Sequence, residues 1–375
     1  MRCFKVAFFV LLLLALCVVP AAAEDMSESA IRQSGIYESA AALDNQTKEF
    51  LNDIGLGEIT AESIYRLDFS NFVQTLLSAL RVSLSENVRY LLVIIGAVFL
   101  AAFADAMGSG LNKGKHAQVF GICAVLLISI TAVAPLSRMM AQAGTAVETA
   151  GSFSIAAIPV LCVVVAAQGK SISAAVVSGS ALGISQVLST LFSTFFLPLN
   201  HILLGVGISA SIESTFGIEK IIALMRKYLL IGLSICALIY FTVLSVRCQI
   251  SGAVDETTLK TIRFASSNFV PVIGSAVSDS AVAVAASLGV TKNAIGIFGL
   301  FSIIGIFLPL LCKVIIWLAG LELAAVVGDV FGMEQIQKSL KNLAAALSVL
   351  LVIIIFCMLI FLVNFGVLIQ LRGAS

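Results

Sequence analysis

The chain contains a series of long apolar runs. Leu343 to Val363, for instance, is broken only by Ser348. A helix needs about 20 such residues to cross a hydrocarbon core of about 30 Å. Strands of a membrane barrel would instead alternate over about 10 residues. Composition points the same way. Hydrophobic residues make up 60% of the 375, charged ones 11%, and the mean hydropathy is +1.09. Soluble domains carry about 25% charged residues. This much apolar surface cannot be buried in one water-soluble core, which excludes a soluble enzyme, a nucleic-acid-binding protein and a disordered chain. The fold class is therefore an all-α polytopic membrane protein.

Arg2 and Lys5 precede the apolar stretch Val6–Val19, and Pro20 and Ala21-Ala22-Ala23 follow it. This is the pattern of a cleavable signal peptide, residues 1–23, with cleavage after Ala23. An uncleaved anchor, or a lipoprotein acylated at Cys17, are the alternatives. Residues 24–88 then hold 11 acidic and 4 basic side chains, a balance of −7, while residues 89–375 hold 10 acidic and 16 basic, a balance of +6. An acidic exported helical segment thus precedes a mildly basic membrane body. Phe69, Phe72, Val73, Leu76, Leu77, Leu80 and Leu84 recur on one helical face. They predict an amphipathic helix lying on the outer membrane surface, or else packed on the head. Two of the eight cysteines fall in the signal and none in the head. Cys123, Cys162, Cys236, Cys312 and Cys357 lie inside apolar runs and Cys248 at the edge of one, as free thiols that behave like small hydrophobes.

Spans are predicted at 90–106, 117–136, 153–167, 172–197, 199–212, 229–246, 264–289, 294–312, 314–328 and 343–369. Those at 153–167, 199–212, 264–289 and 314–328 are short or polar enough to be re-entrant, giving about eight to ten transmembrane or re-entrant helices. With the head outside, lysine and arginine place the loops 107–116, 168–171, 213–228, 290–293 and 329–342 in the cytoplasm. The 247–263 loop, with Arg247, Lys260 and Arg263, falls outside and fits least well. Phe196-Leu197-Pro198-Leu199 recurs as Phe307-Leu308-Pro309-Leu310, and Phe216-Gly217-Ile218-Glu219 as Phe331-Gly332-Met333-Glu334. Pro159-Val160 and Pro271-Val272 keep a similar offset. Four predicted spans separate the two Phe-Gly-x-Glu segments, so both face the cytoplasm, which describes a parallel internal repeat. By composition the chain divides into 24–88, two helices and their connection at 89–152, a first repeat at 153–262, and a second repeat with the C-terminal helix at 263–375.

Catalytic motifs are absent, and no enzyme activity is expected. The two histidines, His116 and His201, exclude the HExxH pattern and a His-rich metal site. The segment from Gly108 to His116 lacks the spacing and preceding strand of a phosphate loop and reads as a cytoplasmic loop, so the chain does not hydrolyse ATP itself. No cofactor is implied. Ionisable groups at membrane depth are more informative, because each costs about 2.5–3.5 kcal/mol on insertion scales. Asp105 reads as interfacial and Lys313 as snorkelling from a helix end. Asp279 and Glu322 are the candidates for an interior polar path. Asn268, Pro271 and Gly274 interrupt the helical pattern just before Asp279, either as a broken helix lining a cavity or as a kinked packing helix. Ser171, Ser178, Ser185, Ser189 and Ser193 form a stripe beside Gly179xxxGly183. Close helix packing is the first reading of that stripe and a pore the second.

The signal, the acidic head, the polytopic body and the stretch Arg263-Phe-Ala-Ser-Ser-Asn-Phe-Val-Pro-Val-Ile-Gly, followed by Ser278-Asp279, together resemble the stage III sporulation protein AE family over nearly the whole mature chain. The resemblance implies an endospore-forming bacterium and a multi-pass protein of the mother-cell membrane around the forespore. It implies a membrane subunit of a channel or export-like complex joining mother cell and forespore, needed for late forespore sigma-factor activity. The implied partners are the other stage III sporulation A-operon membrane proteins and their ATPase, a YidC-type membrane insertase, and the lipid bilayer, with no nucleic acid. No active-site residues come with the resemblance. On the residues alone, a self-contained secondary transporter or permease of a small solute is the alternative, favoured by the repeat and the polar break.

Overall fold

The computed structural model describes residues 36–41, 43–57, 69–108, 115–167, 171–212, 218–269 and 274–370, without the side chains of 105–121, 247–288 and some single positions. The signal peptide and much of the exported head lie outside the described residues, as do 109–114, 213–217 and Pro271.

Two short helices, α1 (Ile36–Ala41) and α2 (Asn45–Asp53), precede the long ones. These are α3 (Phe69–Gly108), α4 (Lys115–Ala167), α5 (Ser171–Leu191), α6 (Leu197–Ile212), α7 (Ile218–Phe269), α8 (Gly274–Val330) and α9 (Glu334–Gln370). A π-helical turn, Phe192–Phe196, joins α5 to α6. There is no strand among the described residues.

Eight to ten spans are expected from the sequence, but the described residues hold six segments long and apolar enough to cross a membrane. These are Ser70–Ala104, Ile122–Ala167, Ala174–Ala210, Lys220–Val246, Thr291–Val330 and Glu334–Gln370. Three fusions account for most of the difference, and the side chains of the predicted span 264–289 lie almost wholly outside the described residues. The predicted spans 117–136 and 153–167 are two halves of α4. Polarity marks residues 137–152 as a loop, yet Met139, Met140, Ala141, Gln142, Ala143, Ala146 and Glu148 are good helix formers and carry the helix through. The spans 172–197 and 199–212 are likewise joined. Pro198 has no N–H to give, and the π turn absorbs this by closing the Leu197 N–H onto the Phe192 carbonyl. Lys313 does not separate 294–312 from 314–328, which both lie in α8. The expected loops 247–263 and 290–293 are also helical, and Lys292 is buried. The composition limits at 88/89, 152/153 and 262/263 all fall inside helices, so they do not mark helix ends.

α9 is the central helix, buried over most of its length, and its most extensive contact is with α8. The two run antiparallel, with Phe307 stacked on Phe361 at 6.4 Å and Gly299 beneath Phe365. Their connection is a Schellman cap. Gly332 takes φ +70°, its N–H reaches the Asp329 carbonyl, and the Met333 N–H reaches the Gly328 carbonyl, each at 2.9 Å. The cap explains why the Phe-Gly-x-Glu segment marks a reversal. Phe153 of α4 closes the core against Phe298 and Phe365, at 6.4 and 5.8 Å.

The amphipathic segment packs on the bundle. It is the first half of α3, which runs parallel to α8. Phe72 meets Phe301 at 5.9 Å and Phe99 meets Phe331 at 5.5 Å. Leu76, Ala79 and Leu80 pack against the core, while Leu77 and Leu84 face outward. α2 docks on the same surface, with Phe50 at 6.5 Å from Phe72 and against Gly305. Between apolar helices in lipid the driving force is packing, and small residues permit close approach. Those residues are Gly296, Gly299, Gly305 and Gly320. A Cβ at any of them would overlap a neighbour, whereas Gly179 and Gly183 have nothing within 4 Å. The GxxxG pair singled out in the sequence is therefore not a contact of this bundle.

Gly299→Leu is expected to force its side chain into the Phe365 ring and to cost about 1–3 kcal/mol, the usual range for overpacking. Thermal unfolding in detergent, with Gly179→Leu as the neutral control, checks this.

Candidate functional site

The six apolar segments bury a chain of polar side chains where their helices converge. Ser185 of α5, Tyr240 of α7 and Asn364 of α9 meet in the interior. The Asn364 Nδ2 donates to Ser185 Oγ at 2.5 Å, and its Oδ1 accepts from the Tyr240 hydroxyl at 2.5 Å. The Ile360 carbonyl also lies 3.0 Å from that hydroxyl, so one phenolic proton is shared between two acceptors. Tyr240 and Asn364 are both fully buried. In hydrocarbon an unpaired amide costs several kcal/mol, so this chain ties α5, α7 and α9 into one register. Asn200 is the contrast. It lies two residues after Pro198, is completely buried, and neither of its amide atoms has a partner.

A second polar contact joins α3 and α8. Lys313 Nζ lies 3.6 Å from Glu86, and Trp317 Nε1 donates to Asn87 Oδ1 at 2.8 Å. Lys313 is thus paired across helices and does not snorkel from a helix end. The Tyr90 ring sits 6.1 Å from Trp317. Beside this contact, Asp44 and Gln46 on the head and Gln142, Thr145 and Thr149 of α4 line a cavity of about 200 Å³ together with Lys313.

The residues proposed from the sequence are not brought together. Glu322 is exposed on the outer face of α8 beside Leu323 and Val326, while Leu321, Ala324 and Ala325 turn inward. It does not line the interior. Asn268 is in the last turn of α7, Gly274 begins α8 and Asp279 follows in its second turn. The side chains of Asn268 and Asp279, like that of Asp105, lie outside the described residues. The serine stripe divides: Ser185 points inward to Asn364, while Ser178 bonds back to the Ala175 carbonyl. His201 bonds within its own helix to the Leu197 carbonyl at 3.0 Å. Among the described residues no group of three His, Cys, Asp or Glu side chains is placed to hold a metal, and Cys123, Cys162, Cys236, Cys312 and Cys357 are free thiols. Sequence reasoning missed Tyr240 and Asn364. Asn364 is the single polar residue in the apolar run 349–369, and that isolation was the available signal.

Fold and site together define a multi-pass helical membrane protein in which several buried polar groups are paired between helices. The sequence matches the family described as Stage III sporulation protein AE over residues 53–371, and the chain belongs to that family. It is also 26% identical over 267 residues to the "Stage III sporulation protein AE" of Bacillus subtilis (strain 168), a match that spans 69% of this chain and 66% of the relative. No solved structure matches the chain. It is therefore a membrane protein of spore formation.

Asn364→Leu keeps the branched heavy-atom shape and removes both side-chain bonds. We expect about 1–2 kcal/mol of lost stability, since polar contacts between membrane helices average below 1 kcal/mol and a stranded hydroxyl adds to that. Tyr240→Phe in the same background should then cost little more, as a thermal double-mutant cycle would read.

Proposed function

We propose that this chain is a membrane subunit of a multiprotein channel or export-like complex connecting mother cell and forespore, needed for late forespore sigma-factor activity. Its partners are the other stage III sporulation A-operon membrane proteins, their ATPase and a YidC-type insertase, and it sits in the mother-cell membrane around the forespore. The family membership supports this setting. One structural observation supports an assembly: Leu126 and Val163 are 39% and 70% exposed on the same helix. A rise of 1.5 Å per residue sets them about 55 Å apart. A hydrocarbon core is about 30 Å thick, and tilts reach about 40° at most. Lipid therefore cannot cover both ends of α4, which supports a protein neighbour at one of them. A self-contained transporter would have no use for that second apolar surface.

The parallel repeat fits this arrangement with fewer crossings. The Phe331–Glu334 segment closes the α8–α9 turn, and Phe216-Gly217 falls between α6 and α7. Two long helices, α7 and α8, separate the two segments where four spans were expected. Both counts are even, so both segments face the same side. If each of the six apolar segments crosses once and the head is outside, that side is the cytoplasm. The 168–171 connection then moves to the outside.

Three measurements test the reading. Affinity purification from sporulating cells should recover the operon partners, and the purified chain alone in liposomes should move no solute. Solute movement by the chain alone would favour the transporter. Cysteines at Ser214 and Gln337, with native thiols replaced, should both resist an impermeant reagent added outside. Labelling of only one contradicts the parallel repeat. Asp279→Asn should leave protein abundance normal and lower sporulation efficiency; normal sporulation would remove Asp279 from any polar path.

A further inference from the structure

Two outward stripes of this chain carry opposite charges at the same spacing. On α8, Glu322 and Asp329 are exposed, with Leu323, Val326 and Val330 exposed around them. On α7, Lys220 and Lys227 are exposed, with Leu224 between them and Tyr228 beside them, both outward. Each pair is separated by close to two helical turns, so its members point the same way, about 10 Å apart. Among the described residues, none of these four charges has a partner. Such a surface is satisfied by neither solvent. Water leaves the apolar side chains exposed, and lipid leaves the charges unpaired. A surface with apolar groups and the opposite charge satisfies both, and the chain carries that surface itself.

The two stripes do not meet within one chain. α7 packs on α5, α6 and α9, and α8 on α3, α4 and α9, so they lie on different flanks of the central helix. They do stand at similar heights. Gly328 of α8 faces Ile336 and Gln337 of α9, and Phe307 is stacked on Phe361. Gly232 of α7 abuts Phe196 of the π turn, whose Phe192 meets Phe356 of α9, and the Tyr240 hydroxyl bonds to Ile360 and Asn364. α7 therefore runs parallel to α9 and antiparallel to α8. Counted from these contacts at 1.5 Å per residue, the midpoints of the two stripes lie within about 10 Å of one level. Copies inserted in a membrane in the same direction are related by an axis along the bundle, which keeps each residue at its height. The acidic stripe of one then comes opposite the basic stripe of the next, on antiparallel helices. The helix dipoles favour the same pairing. Asp329 lies in the last turn of α8 and Lys220 in the first turn of α7, the ends at which the macrodipole disfavours each charge. An opposite charge across the contact relieves both.

We propose that α8 of one copy docks on α7 of a second copy through these stripes, so that the chain assembles with itself head to tail. Because the two surfaces differ, the contact is heterologous and continues into a ring or a row. The proposal does not need the conduit reading. It concerns the chain alone and is tested without the operon partners, so the two fail separately.

The experiment co-expresses two differently tagged full-length copies in a host without sporulation genes, and recovers one tag from the membranes in mild detergent. Wild-type copies should co-purify. Glu322→Lys with Asp329→Lys in both copies should lower recovery of the second tag several-fold, as should Lys220→Glu with Lys227→Glu. One copy bearing the first pair and another bearing the second should restore it, because each reversed stripe then meets its opposite. Where a reversal does not accumulate, Glu322→Gln with Asp329→Asn should lower recovery in normally abundant protein. Failure of wild-type copies to co-purify would overturn the proposal. So would recovery that these changes leave unaltered, or a mixed pair recovered no better than either variant alone.

Discussion

The thickness of a bilayer governs how this structure must be understood. Helices α4 and α8 have 53 and 57 residues, or about 80 and 85 Å at 1.5 Å per residue. A hydrocarbon core accommodates about 30 Å. Apolar side chains nevertheless face outward near both ends of the bundle, at Leu126, Ile130, Val326 and Val330 toward one end and at Val163, Leu238 and Phe241 toward the other. One layer of lipid cannot cover both sets. That excess apolar surface supports the proposal that protein covers the bundle at one level and lipid at another.

Within the bundle, polar groups follow the rule that low-dielectric surroundings impose. Ser185, Tyr240 and Asn364 satisfy one another, Lys313 meets Glu86, and Trp317 meets Asn87. These contacts fix the register of helices whose apolar faces would otherwise slide, because lipid gives no preference among apolar partners. Glycines at 296, 299, 305 and 320 supply the close approach that packing requires. Asn200 stands apart, with both amide atoms buried without a partner, as are the hydroxyls of Ser129, Ser154 and Ser339. Asn200 follows Pro198 and the π turn, the most irregular backbone among the described helices.

The helical membrane class was legible because apolar runs of this length have no other stable fate. The turn at Phe331–Glu334 was also legible, since a glycine after a helical run followed by an acidic first-turn residue marks a stop and a start. The number of spans was not. Residues 137–152 are polar, and polarity resembles a loop, but Met, Ala, Gln and Glu continue a helix as readily as they end a span. Pro198 was a signal of a break that the backbone absorbed through a π turn. Charge at depth misled in a similar way. Glu322 was singled out by its charge and faces outward, while Tyr240 and Asn364 are uncharged and lie at the centre. The direction of a side chain depends on which neighbour the helix packs against, and one sequence does not record that.

The central claim is that α4 is one continuous helix longer than the bilayer is thick. Spin labels at cysteines introduced for Leu126 and Val163, in the full chain in lipid, measure this by pulsed dipolar spectroscopy. A continuous helix predicts a separation of about 55 Å, less a few ångströms for bends at Pro135 and Pro159. Two antiparallel spans joined by a loop at 137–152 would lie about 8–10 Å apart axis to axis and bring the labels within about 20 Å. That short distance would contradict the account.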